Sequence, residues 1–153
     1  MSDAYIVQAL RTAGGRRNGK LAGWHPADLA GEVLSALVDR SGIDPAAVED
    51  VVFGCVSQIG EQSSHIGRNA VLASKLPVSV PAVSIDRQCG SSQQAVHFAA
   101  QAVMSGTQDV VIAAGVESMS RVPIGSPTAL AVNAGLGGPW RSEERRVGKE
   151  CSS

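Results

Sequence analysis

"VPAVSIDRQCGSSQQAVHFAAQAVMSGTQDVVIAAG", residues 80–115, holds a strand–helix–strand unit in one piece. "VPAVSID" is a short apolar run of strand length. Ser91 to Met104 carries Ala95, Phe98, Ala99, Ala102 and Val103 at helical spacing, which predicts a helix with that face buried and Gly106 ending it. "DVVIAAGVES" is a second strand. Upstream, "AYIVQALRT" (Ala4 to Thr12) reads as a buried strand, followed by the Gly- and Arg-rich loop "AGGRRNGKLAGWH". Pro26 suits the first turn of a helix bearing Leu29, Val33, Leu34, Leu37 and Val38, which Gly42 stops. Asp44 caps the turn at Pro45, "VVFGCVSQ" (51–58) is a strand, and Ile66 to Lys75 is a helix stopped before Pro77. The resulting order is β-α-β-α-β-α-β. Near-continuous apolar strands in that order imply a mostly parallel sheet covered on both faces, an α/β fold.

The chain has 153 residues, enough for one domain or part of a larger one. Aromatics make up 3% of it, so its core must be built from close-packed Ala, Val and Gly. The net charge of -1, with no charged block before residue 141, argues against a nucleic-acid surface. No stretch is long and apolar enough to span a bilayer, and no basic start precedes an apolar region, so the expected location is cytoplasmic. Cys55, Cys89 and Cys151 are odd in number and fit neither a zinc pattern nor a disulfide framework. No metal site is expected, and a reducing compartment is the simplest reading.

Cys89 stands between a strand and the start of a helix. The first N–H groups of a helix lack acceptors within it, and its dipole is positive there. Both effects favour a thiolate. Gly90, Ser91 and Ser92 add little bulk, and the backbone N–H of Cys89 is placed to act as an oxyanion donor. That is the pattern of an acyl-accepting thiol. A free cysteine is also commonly a small buried hydrophobe, and spacing leaves both readings open.

Other candidates read more plainly. His97 lies eight residues after Cys89, about 12 Å along a helix axis, too far for a direct hydrogen bond, so it is read as a helix-packing histidine. His25 suits capping or exposure, and His65 exposure. Cys55 suits the core. The glycines of "AGGRRNG" form neither a P-loop nor a G-x-G-x-x-G turn, so Arg16, Arg17 and Lys20 are read as solvated, with an anion contact as the alternative. Glu117 is either a buried hydrogen-bonded carboxylate or a turn residue.

The end of the chain differs from the rest. "RSEERRVGKEC", Arg141 to Cys151, is dense in charge and aperiodic, and resembles the in-frame translation of a sequencing-adapter oligonucleotide. Residues 141–153 are therefore read as a non-native tail, and 1–140 as the native portion.

"DRQCGSSQQAVHFAAQAVMSGTQDVVIAAGVESMS", with "RTAGGRRNGKL" and "GIDPAAVEDVVFGCVSQ", resembles the N-terminal half of a thiolase (acetyl-CoA acetyltransferase or 3-ketoacyl-CoA thiolase), over about residues 4–130. The resemblance implies a layered α/β fold of two similar halves, each with a mixed, mostly parallel sheet, here incomplete. It implies that Cys89 is the nucleophile that cleaves a 3-ketoacyl-CoA, or runs the reverse Claisen condensation, in fatty-acid β-oxidation and related lipid metabolism. CoA and acyl-CoA would be substrates, no cofactor is implied, and the intact parent would be a homo-oligomer. The family's base histidine, active-site asparagine, second cysteine and most CoA contacts lie further on, so only Cys89 carries over and the substrate-binding residues are unknown. Two alternatives stand beside this: a non-catalytic truncated fragment, and a β-ketoacyl synthase relative.

Overall fold

A computed structural model describes residues 3–135. The charged tail and Cys151 lie outside them. Helix α1 (Pro26–Ser41) starts where expected: the His25 imidazole caps it by accepting from Ala27 N–H, and Pro26 takes the first turn. Gly42 ends it at φ 69°, a left-handed turn that a side chain would resist. Asp44 accepts from Ala46 N–H and caps a single 3₁₀ turn, Pro45–Ala47. Then come β1 (Asp50–Gly54), α2 (Ile66–Leu72), β2 (Ala82–Ile85), α3 (Ser91–Met104), β3 (Val111–Gly115) and α4 (Ser126–Asn133).

The strands form one parallel sheet in the order β2-β1-β3. Register sets Val51 beside Ala82 and Ile112, and Gly54 beside Ile85 and Gly115. Successive side chains of a strand point to opposite faces, and the contacts divide accordingly. Val51 and Phe53 join Ile112 in a core with Leu34 and Val38 of α1 and Ile66, Ala70 and Val71 of α2. Gly54, facing the other way, lies against the first turn of α3. The layers are thus α1 with α2, then the sheet, then α3. Gly31 lets α1 and α2 close up: a Cβ there would stand 2.6 Å from the carbonyl oxygen of Ala73.

Two expectations fail in the fold. Ala4 to Thr12 forms no strand: the segment has no regular structure, and Tyr5, Ile6 and Val7 are 79%, 80% and 78% exposed. β3 has a strand neighbour on one side only among the described residues, and a cleft of about 800 Å³ separates its Ala113–Val116 stretch from Leu10, Arg11 and Thr12. The free edge of β3 lies across that cleft, and the apolar run does not pair with it. Phe98, assigned to the buried face of α3, is 44% exposed; the buried stripe is Ser91, Ala95 and Ala99, at spacing four. Helix α4 was not anticipated, and none of its residues is buried.

Candidate active site

Strand β2 ends at Ile85, whose carbonyl accepts from Cys55 N–H. Between it and α3 runs a tight turn. Gly90 N–H donates to the Arg87 carbonyl at 2.8 Å, and Arg87 N–H donates to Ser91 Oγ at 3.0 Å. Cys89 sits at the top of this turn, exposed, with φ 58°. A non-glycine residue in the left-handed region is uncommon, and such strain gathers at functional sites. Gly90 precedes the helix without a side-chain cap, so the first N–H groups of α3 point toward the turn with no acceptor within the helix.

The turn rests on glycine. Gly54 and Gly115 end β1 and β3 side by side. A Cβ on Gly54 would lie 2.5 Å from the carbonyl carbon of Ser91 and the nitrogen of Ser92, and one on Gly115 would overlap Ser92 Oγ. The sequence reading passed over both glycines. Each lies inside its apolar run, VVFGCV and VVIAAGV, one or two residues before the run ends.

Beyond the glycines, Glu117 joins the loops that follow β1 and β3. Its carboxylate accepts from Val56 N–H, Ser57 N–H and Gln62 Nε2 at 2.9, 3.2 and 2.9 Å. This decides the Glu117 alternatives: it is a hydrogen-bonded carboxylate, though the residue is exposed rather than buried. Gln62, fully buried, also donates to the Ser57 carbonyl, while its own oxygen accepts from Ser118 N–H at 2.6 Å. Nothing in the local sequence marks Gln62, because its partners lie up to 56 positions away. Arg121 reaches from the same loop to the Glu61 carboxylate and to the Ala22 carbonyl.

Cys55 is buried, as expected, immediately after β1. Its thiol is pushed up from 9.0 to about 12, first by burial and then by the carboxylates of Glu117 and Asp86. Cys55 therefore stays protonated and inert at neutral pH. Cys55 is a free thiol.

The histidines divide. His25 caps α1, and His65 caps α2 by accepting from Arg68 N–H at 3.0 Å, with an exposed ring. His97, expected to pack in the helix interface, is exposed on α3. Arg16, Arg17 and Lys20 are exposed as expected. The 800 Å³ cleft, the seam beside β3, has Arg16, Arg17, Gly115 and Glu117 among its lining residues but not Cys89. Among the described residues no group of His, Cys, Asp and Glu could hold a metal ion, and no helix is long and apolar enough to cross a membrane.

Cys89 thus stands at a left-handed φ on a turn between β2 and α3, above strand ends that carry glycine. Residues 4–147 match the thiolase N-terminal domain. The chain belongs to the thiolase family. It is 52% identical over 145 residues to a steroid 3-ketoacyl-CoA thiolase of Mycobacterium tuberculosis, covering 95% of this chain and 36% of that protein. It is 45% identical over 124 residues to a β-ketoadipyl-CoA thiolase of Acinetobacter baylyi, covering 80% of this chain and 31% of that one. A 3-ketoacyl-CoA thiolase of Pseudoalteromonas translucida shares 42% over 126 residues, 81% of this chain and 32% of the relative. The chain thus spans about a third of the length of these thiolases. The layered α/β arrangement with a parallel sheet is that of a partial thiolase-like fold.

Proposed function

We propose that the chain is the N-terminal part of an acyl-CoA thiolase and that Cys89 is its nucleophile. The observation that carries this is the exposed Cys89 at φ 58° on a turn between a parallel strand and the start of α3. The Cys89 thiolate attacks the 3-keto carbon of a 3-ketoacyl-CoA. The bond between carbons 2 and 3 breaks, its electron pair goes to carbon 2, and protonation there releases acetyl-CoA. The acyl group remains on sulfur as a thioester until the thiol of a second CoA displaces it, returning the proton to Cys89. Two displacements replace one difficult step, and the reverse sequence is a Claisen condensation. The backbone N–H of Cys89 is proposed to help hold the oxyanion formed at carbon 3. CoA and acyl-CoA are the partners, and the full-length protein is proposed to be a cytoplasmic homo-oligomer.

The names of the relatives range over steroid, β-ketoadipyl and general 3-ketoacyl thioesters. We infer a 3-ketoacyl-CoA as the shared class of substrate. The chain alone is proposed to be inactive, because no histidine lies in the turn to take up protons. The family match runs to residue 147. We place the end of the native sequence at 140, on the likeness of Arg141–Cys151 to adapter DNA; resequencing from source DNA checks this.

The test is acyl trapping. The full-length protein, reduced and mixed with acetyl-CoA or acetoacetyl-CoA, should carry the acetyl group on the Cys89 peptide by mass spectrometry, and Cys89→Ala should carry none. Acylation elsewhere would overturn the assignment. The 153-residue chain should show no measurable thiolysis, since a missing base costs on the order of 10²–10⁴-fold per proton transfer.

A further inference from the structure

We infer that Gly54 and Gly115 are positioning residues that set the height of the Cys89 turn, an inference that rests on the proposed role of Cys89. The two glycines face each other in register on β1 and β3, on the face opposite the main core. Together they form a floor with no side chains, and the first turn of α3 lies on it. The clearances differ in kind. Above Gly54 is helix backbone, with Ser91 C and Ser92 N each 2.5 Å from an added Cβ and Ser91 O at 2.7 Å. Above Gly115 is chiefly a side chain, Ser92 Oγ, with Ser92 Cβ at 3.2 Å and the Gly54 carbonyl at 2.7 Å. A methyl at 54 must lift the helix start itself. A methyl at 115 pushes on Ser92 first.

Lifting that turn of helix moves Cys89. Ser91, buried on the floor, is bonded through its hydroxyl to Arg87 N–H, and Gly90 N–H is bonded to the Arg87 carbonyl. Residues 87–91 therefore move as one piece, and Cys89 rides on it. The opposite end of the piece is fixed, because Ile85 is held in β2 and its carbonyl accepts from Cys55 N–H. Displacement at the floor is thus converted into rotation at Cys89. Misplacing a reacting group by about 1 Å can cost about 100-fold in rate.

Gly31 supplies the comparison. It is as tightly packed as Gly54, 2.6 Å from the Ala73 carbonyl oxygen, but it lies between α1 and α2 on the other side of the sheet. Substitution there should lower stability without touching the turn.

The experiment uses the full-length protein and reads kcat and KM for acetoacetyl-CoA thiolysis, with the pH profile of Cys89 alkylation by iodoacetamide. Gly54→Ala and Gly115→Ala should lower kcat by about 100-fold with KM little changed, and should alter the alkylation profile. Gly31→Ala should lower the melting temperature while keeping kcat and the profile. Adding Ser92→Ala should restore part of the activity of Gly115→Ala, measured against Ser92→Ala alone, but none of that of Gly54→Ala. If either glycine variant fails to fold, Ser92→Val presses on the same floor from an exposed position and should reproduce the kcat loss. Glycine variants within threefold of wild type, or an equal kcat loss in Gly31→Ala, would overturn the inference. Wild-type protein lacking thiolysis would instead sink the thiolase reading, and the alkylation profiles would still judge the glycine floor.

Discussion

The two faces of the sheet are finished to different degrees. On one, α1 and α2 seal Val51, Phe53 and Ile112 under Leu34, Ile66 and Val71, and nearly every side chain there is buried. On the other, α3 lies alone over Val52, Gly54 and Gly115, and its buried stripe is Ser, Ala and Ala. Val96, Phe98 and Met104 of α3 and Val83 of β2 stay exposed on or beside that face. The sealed face supplies stability. The thin face supplies the site, since small residues let the helix start come down onto the strand ends. Parallel sheets need cover on both faces, and among the described residues the face under α3 has the thinner cover.

The largest expected effect tests that incompleteness. The isolated chain should bind a hydrophobic dye and melt without a sharp transition, as partly packed states do. A monomer with one cooperative melt and no dye signal would mean that the thin face is already complete. Next, Phe53→Ala on the sealed face should cost about 3–5 kcal/mol by denaturant titration of the full-length protein, enough to leave the isolated chain unfolded. Gln62→Ala removes a buried amide that links the Ser57, Glu117 and Ser118 positions, and should cost about 1–3 kcal/mol in the same titration.

Cys55 adds a pH effect on the sealed side. Its thiol is raised in the fold, so folding favours the neutral form. That contribution is complete below about pH 9 and is lost as the pH rises toward 12, where the unfolded chain can ionise and the folded one cannot. Stability followed by denaturant titration at rising pH should fall over that window, and Cys55→Ala should flatten the fall. The smallest effect is expected at Phe98→Ala, whose ring is half in water: about 1 kcal/mol or less by denaturant titration of the full-length protein if the remainder leaves α3 uncovered. A larger cost would show that the remainder covers α3.

Legibility followed the same division. Three of the four helices and three strands were readable because local signals fixed them: Pro26 and Gly42 bound α1, Asp44 caps its turn, and α3 has the predicted ends. Cys89 was readable as a candidate because its junction is local. Ala4 to Thr12 was misread because an apolar run states a preference for strand, while a strand forms only where the run pairs with an edge, and here it stays across the cleft from β3. Phe98 was misread for a related reason: periodicity gives a face, and which side of a thin layer meets protein depends on elements elsewhere. Gln62 and the Gly54–Gly115 pair escaped because their meaning lies in contacts between strands far apart in sequence.

The exposed run Tyr5–Val7 has a consequence for synthesis. Every residue of the sealed core falls between Ala27 and Val116, so that core can close on the ribosome as soon as β3 has emerged. Tyr5, Ile6 and Val7 leave the tunnel earlier and are still uncovered when it closes. The earliest of these segments to be made is therefore still open once the core has closed, and the chain displays a β-prone strip that chaperones, or a neighbouring nascent chain, can reach.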